Sequence, residues 1–157
     1  MKLYIEEHLK QKMSAVLLRV DSWNLSFDIE YIKNISTLPY AISESQDKTW
    51  SIIMPLEQNT AFVYDLKLHA DVTKRYAGGA YSHRFSIIID GSESDEILEL
   101  RIVHEYLHSI GKAADDLLRY LANFLTWWER VLWKLGLIHV DAQSPYWLRK
   151  YYKYLKG

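Results

Sequence analysis

Residues 85–111 read Phe-Ser-Ile-Ile-Ile-Asp-Gly-Ser-Glu-Ser-Asp-Glu-Ile-Leu-Glu-Leu-Arg-Ile-Val-His-Glu-Tyr-Leu-His-Ser-Ile-Gly. The dense run Phe85, Ile87, Ile88 and Ile89 closes a strand predicted over 81–89. Asp90-Gly91-Ser92 is a turn, and Ser92 with Asp95 three residues on makes a capping box. Glu93, Asp95 and Glu96 fill the first turn, where carboxylates favour the positive end of the helix dipole. Ile97, Leu100, Val103, Leu107 and Ile110 then recur at helical spacing, and Gly111 can end the helix in a left-handed conformation. A helix over 93–110, directly after a strand, is the result.

Upstream, Leu9, Met13, Val16, Leu17 and Val20 predict an N-terminal helix over 4–20. Leu25 to Tyr31 alternates apolar and polar residues and predicts a strand. Leu38 to Asp47, with Pro39, reads as a loop. Trp50 to Met54 and Ala61 to Leu68 read as strands, and Gly78-Gly79 as a further loop. Downstream, Ala113 to Leu137 reads as helical, with room for a break, and Ser144-Pro145 starts a last helix rich in Tyr and Trp. Strands first and helices later make an α+β class, and 157 residues fit a single domain over 1–157.

Composition narrows the chemistry. With 19 basic and 20 acidic side chains, the net charge of -1 gives no strong pull toward nucleic acid. Cysteine is absent, so a metal would be held by His, Asp or Glu, and a reducing compartment such as the cytoplasm fits. Acidic residues at Glu6 and Glu7 stand where a secretory signal would be apolar. The apolar stretch 117–137 carries Arg119, Glu129, Arg130 and Lys134, which argue against a transmembrane segment. The 12 Tyr and 6 Trp imply heavy aromatic packing, or an aromatic contact surface for a partner or membrane interface.

Within the predicted helix, His104-Glu105-Tyr106-Leu107-His108 is an H-E-x-x-H motif. Two histidines four apart lie one turn above each other on one face. Both can point a nitrogen at one ion about 2.0–2.1 Å away. Glu105, next to the first ligand, can take a proton from a water whose pKa zinc brings to about 7.

On this motif and element order the chain resembles the zincin metallopeptidases. The resemblance implies a mixed sheet with an N-terminal helix, then an active-site helix carrying the motif. It also implies Zn2+ as cofactor, His104 and His108 as ligands, Glu105 as base and proton shuttle, and a peptide or protein substrate. The strand 81–89 would be the edge strand to which an extended substrate adds. His-Glu-Tyr-Leu-His-Ser-Ile-Gly is similar to the metzincin branch, with Gly at Gly111. The chain departs from that branch at Ala114, where the third ligand would stand, and its Met residues, Met1, Met13 and Met54, are all upstream.

The gluzincin branch takes its third ligand from a later helix, and by that resemblance Glu129, 21 residues after His108, becomes the third ligand. Geometry leaves alternatives. On one unbroken helix from Ala113, Glu129 would sit about 24 Å along and overshoot the histidines, and Asp115 or Asp116 would be nearer. A broken segment could return Glu129. Thr126 and Glu129 also form a possible capping box, which gives that carboxylate a structural role instead. His139 is a further alternative.

Among weaker candidates, His83, Arg84 and Tyr81 on the predicted strand could face a substrate. His69 and Asp71 could begin a second metal site. The basic, aromatic tail 149–156 could touch nucleic acid or lipid. Three functions compete on these residues. They are a zinc metallopeptidase, a non-catalytic interaction or structural protein on the same scaffold, and a metal-dependent nuclease.

Overall fold

The computed structural model describes residues 1–33, 41–44, 50–53, 60–65, 81–83 and 86–157. The α+β class holds. The chain divides into two compact units, Met1–Ile102 and Val103–Gly157, and the boundary falls inside the helix that carries the motif.

The first unit is built on a five-stranded sheet. Its strands are β1 (Lys2–Glu6), β2 (Asp28–Ile32), β5 (Thr60–Tyr64), β6 (Tyr81–His83) and β7 (Ser86–Asp90), in the order β2-β1-β5-β7-β6. β3 (Ala41–Glu44) and β4 (Trp50–Ile53) form a separate antiparallel pair. β1 runs parallel to β2 and β5, and β5 parallel to β7, with Leu3 opposite Ile29 and Ala61, and Val63 opposite Ile89. β6 runs antiparallel to β7 at the sheet edge. The strand expected over 81–89 is therefore two strands, of which β6, not β7, lies at a sheet edge.

Residues 4–6 belong to β1 and not to the N-terminal helix. Leu3, Tyr4, Ile5 and Glu6 are all buried, as in a parallel strand covered on both faces, so the polar alternation that marks a strand is missing. The helix α1 is Lys10–Asp21, entered through a tight turn at Glu7–Leu9. It makes the crossover that a parallel β1–β2 pair requires.

Alternate residues of the strands supply the core. Leu3, Ile5, Ala61, Val63 and Ile89 pack with Leu9, Met13, Val16 and Val20 of α1 and with Leu98 and Ile102 of helix α2 (Asp95–Ser109). On β1 and β5, the intervening Tyr4 and Phe62 stack at 5.1 Å. A buried carboxylate ties α1 to α2. Glu99 accepts from Arg19 Nε at 2.8 Å and from Trp23 Nε1 at 2.9 Å. Both partners donate, so the buried charge is compensated.

The start of α2 differs from the expected capping box. Asp90 Oδ1 accepts from Ser92 N at 3.0 Å and from Ser92 Oγ at 2.8 Å, which occupies Ser92 in the turn. Ser94 caps instead, its hydroxyl 3.4 Å from Ile97 N. Lys12 secures the same turn by donating to the carbonyls of Gly91 and Glu93.

The second unit continues α2 into a short helical series. A tight helical turn at Leu117–Tyr120 leads into α3 (Leu121–Phe124), then come α4 (Trp127–Lys134) and α5 (Pro145–Lys156). The segment expected to be helical over 113–137 is thus broken, at Leu125 and Thr126, whose backbone is extended. Residues 38–47, read as a loop, include β3, which pairs antiparallel with β4, the next strand in the chain. Among the described residues no helix is long and apolar enough to cross a membrane.

Candidate metal centre

Helix α2 delivers the histidines. Val103 and Leu107 are fully buried, and His104 and His108 stand one turn apart on a different face, partly exposed. Glu105 is buried beside His104. The helix stops where the sequence implied. Gly111 has φ +81°, Gly111 N donates to His108 O at 3.0 Å, and Lys112 N donates to Leu107 O at 2.9 Å. This paired closure uses a left-handed residue for which glycine is the natural choice.

The reversal at Gly111 places residues 112–116 back beside the end of α2. Two backbone bonds fold this loop, Ala114 N to Lys112 O at 3.0 Å and Asp116 N to Ala113 O at 3.2 Å. Tyr151 of α5 holds it from outside the loop by donating its hydroxyl to Ala113 O. Burial, with Asp116 and Tyr120 adding to it, pushes the Tyr151 hydroxyl up to about 12, so it stays a donor at neutral pH.

Asp115 then meets both histidines. Its Oδ1 lies 3.0 Å from His104 Nε2 and its Oδ2 lies 3.0 Å from His108 Nε2. The two Nε2 atoms are 3.2 Å apart. These three residues form a group able to hold a metal ion. The donor set can be tested against zinc by arithmetic. Tetrahedral bonds of about 2.0–2.1 Å put neighbouring ligand atoms about 3.3 Å apart. The observed spacings of 3.0–3.2 Å fit that edge. Three electron-rich atoms at such separations require a cation or protons between them.

The other nitrogen of His104 is also engaged. Nδ1 lies 2.7 Å from the hydroxyl of Tyr152, and the two rings meet edge to face. When Nδ1–H donates to that oxygen, Nε2 keeps its lone pair for a metal, the usual outer-shell arrangement of a ligating histidine. Tyr152 is buried. Nothing in the residue pattern singled it out from the other tyrosines of 145–156.

Glu129, the third ligand expected from family spacing, is occupied elsewhere. It closes the capping box of α4, with Glu129 N 3.2 Å from Thr126 Oγ1 and Thr126 N 2.9 Å from Glu129 Oε1. Its Oε2 accepts from Lys150 Nζ at 2.6 Å. Partial burial pushes this carboxyl up, but Lys150 and the Thr126 amide and hydroxyl outweigh that and leave it below its ordinary value. Asp115 takes the place beside the histidines, and neither Asp116 nor His139 belongs to the group.

His69, Asp71 and Arg84 lie outside the described residues. Tyr81 and His83 are placed on β6 by their backbone alone. In the tail, Tyr151 and Tyr152 are buried and so cannot serve as stacking platforms.

No protein-family model matches the chain, and neither do the curated proteins or the solved structures.

Proposed function

We propose that this chain is a zinc-dependent metallopeptidase, with His104, His108 and Asp115 as metal ligands and Glu105 as general base. The observation that carries the reading is the convergence of two histidine nitrogens and one carboxylate at tetrahedral-edge spacing, on an H-E-x-x-H helix. Zinc is the choice because it takes such a mixed nitrogen and oxygen set in tetrahedral geometry, with the fourth position left for water in catalytic sites. The order of elements supports the zincin resemblance: a mixed sheet with α1 after its first strand, then a helix with the motif.

When bound, zinc supplies Lewis acidity that lets water lose a proton near neutral pH. Glu105 accepts that proton and later passes it to the departing amine. Tyr152 keeps His104 in the ligating tautomer. Asp115, whose side chain is 70% exposed, closes the ligand set from the solvent side.

Metal content of the purified chain tests the site, and cleavage of an unstructured protein tests the reaction. One zinc per chain in the wild type and none in His108→Ala is expected. Glu105→Gln should keep zinc and lose cleavage. Zinc-free wild type, even after incubation with the metal, would sink the assignment. Full cleavage by Glu105→Gln would sink the mechanism alone.

A further inference from the structure

We propose that helix α4 and the turn after it dock on an anionic lipid membrane surface. The argument starts from a helix that buries none of its residues. At 3.6 residues per turn, Trp127, Trp128, Val131 and Leu135 fall on one side of α4. An amphipathic helix ordinarily packs such a stripe against the rest of its chain. Here Trp127 is 61% and Trp128 65% exposed, and Leu135 and Leu137 are 66% and 69% exposed on the turn at Gly136.

Cations adjoin this apolar stripe. Arg130 and Lys134, one turn apart, line a hollow of about 190 Å³ together with Trp127 and Val131. The Arg130 Nε is buried and has no hydrogen-bond partner among the described residues. The hollow thus offers two cations to a phosphodiester and two apolar side chains to the acyl chain beside it.

Charge decides what covers the face. Residues 117–157 carry seven Lys or Arg against two carboxylates, Glu129 and Asp141, and Glu129 is already paired with Lys150. A second copy seated here would bring like charges together. An anionic surface is attracted. Tryptophan beside Lys and Arg, on a short helix of moderate overall hydrophobicity, is the composition of elements that lie in the headgroup region.

The test is co-sedimentation of the full chain with phosphatidylcholine vesicles, with and without phosphatidylglycerol, at low and high salt. Binding is expected only to the vesicles with phosphatidylglycerol, and it should weaken as salt screens the charges. W127A/W128A should lower the partition coefficient at least tenfold, and Arg130→Gln or Lys134→Gln about fivefold each. Circular dichroism checks folding. Should the tryptophan variant not fold, L135S/L137S carries the same expectation. Equal binding to both vesicle types would overturn the proposal, as would no binding or a partition indifferent to these substitutions. A dimer in the ultracentrifuge that the tryptophan change dissolves, without vesicle binding, would reassign the face to self-association.

Discussion

The Tyr152 hydroxyl stands 2.7 Å from Nδ1 of His104, so a residue on α5 engages one ring nitrogen of a histidine on α2 while the other, Nε2, meets Asp115. Tyr152→Phe keeps the ring and removes this one contact. Zinc affinity, measured by competition with a chromophoric chelator, should fall about 10- to 100-fold. An unchanged affinity would mean that the hydroxyl does not set the tautomer.

Asp115 and Glu129 should separate cleanly. Asp115→Ala removes a proposed ligand from an exposed position, so metal binding should be lost while stability moves by no more than about 0.5 kcal/mol. Glu129→Ala should retain zinc and lose about 1 kcal/mol, because it opens the capping box and frees Lys150. Chemical denaturation beside zinc titration reads both. The reverse pattern would restore Glu129 as the ligand.

The Glu129–Lys150 pair also predicts a pH dependence. The folded Glu129 carboxyl titrates below its ordinary 4.5, so its contribution is present above that value and lost as pH falls through the lower, folded one. Glu129→Gln keeps the box geometry without the charge. Measured in chelator, wild type should exceed this variant by about 1 kcal/mol at neutral pH. The two stability curves should converge in acid below 4.5. Parallel curves throughout that window would refute the charge contribution.

Gly111→Ala tests the reversal that returns Asp115. An added Cβ meets nothing within 4 Å, so the penalty is purely that of φ +81°. About 1–2 kcal/mol should be lost, and zinc affinity should fall as well, because the loop bearing Asp115 starts there. Gly111→Asn should lose less on both counts, since Asn tolerates this conformation better. Equal losses for Ala and Asn would show that conformation is not the cause.

What was legible in the sequence was local. The periodicity of Ile97 to Ile110, the stop at Gly111 and the Thr126–Glu129 box each lie within a few residues, and each is present in the fold. The box itself accounts for Glu129, whose carboxylate is engaged by Thr126 and Lys150 and does not belong to the histidine group. Asp115 was harder to favour because its position depends on a loop held by Tyr151, 38 residues from Ala113. β1 is hard to read in the sequence for a different reason. Burial of Leu3 to Glu6 erases alternation, and the apolar spacing of α1 invited the helix to be extended backward.

Tyr151 and Tyr152 are consecutive residues on α5, yet one steadies the loop of Asp115 and the other orients His104. The order of synthesis gives this a consequence. The H-E-x-x-H helix is synthesised before residues 145–156. Until then the carboxylate loop lacks its anchor and the first histidine lacks its orienting hydroxyl. A nascent chain therefore carries the motif without the assembled cluster, and Asp115 and Tyr152 join the two histidines only when the last helix folds into place.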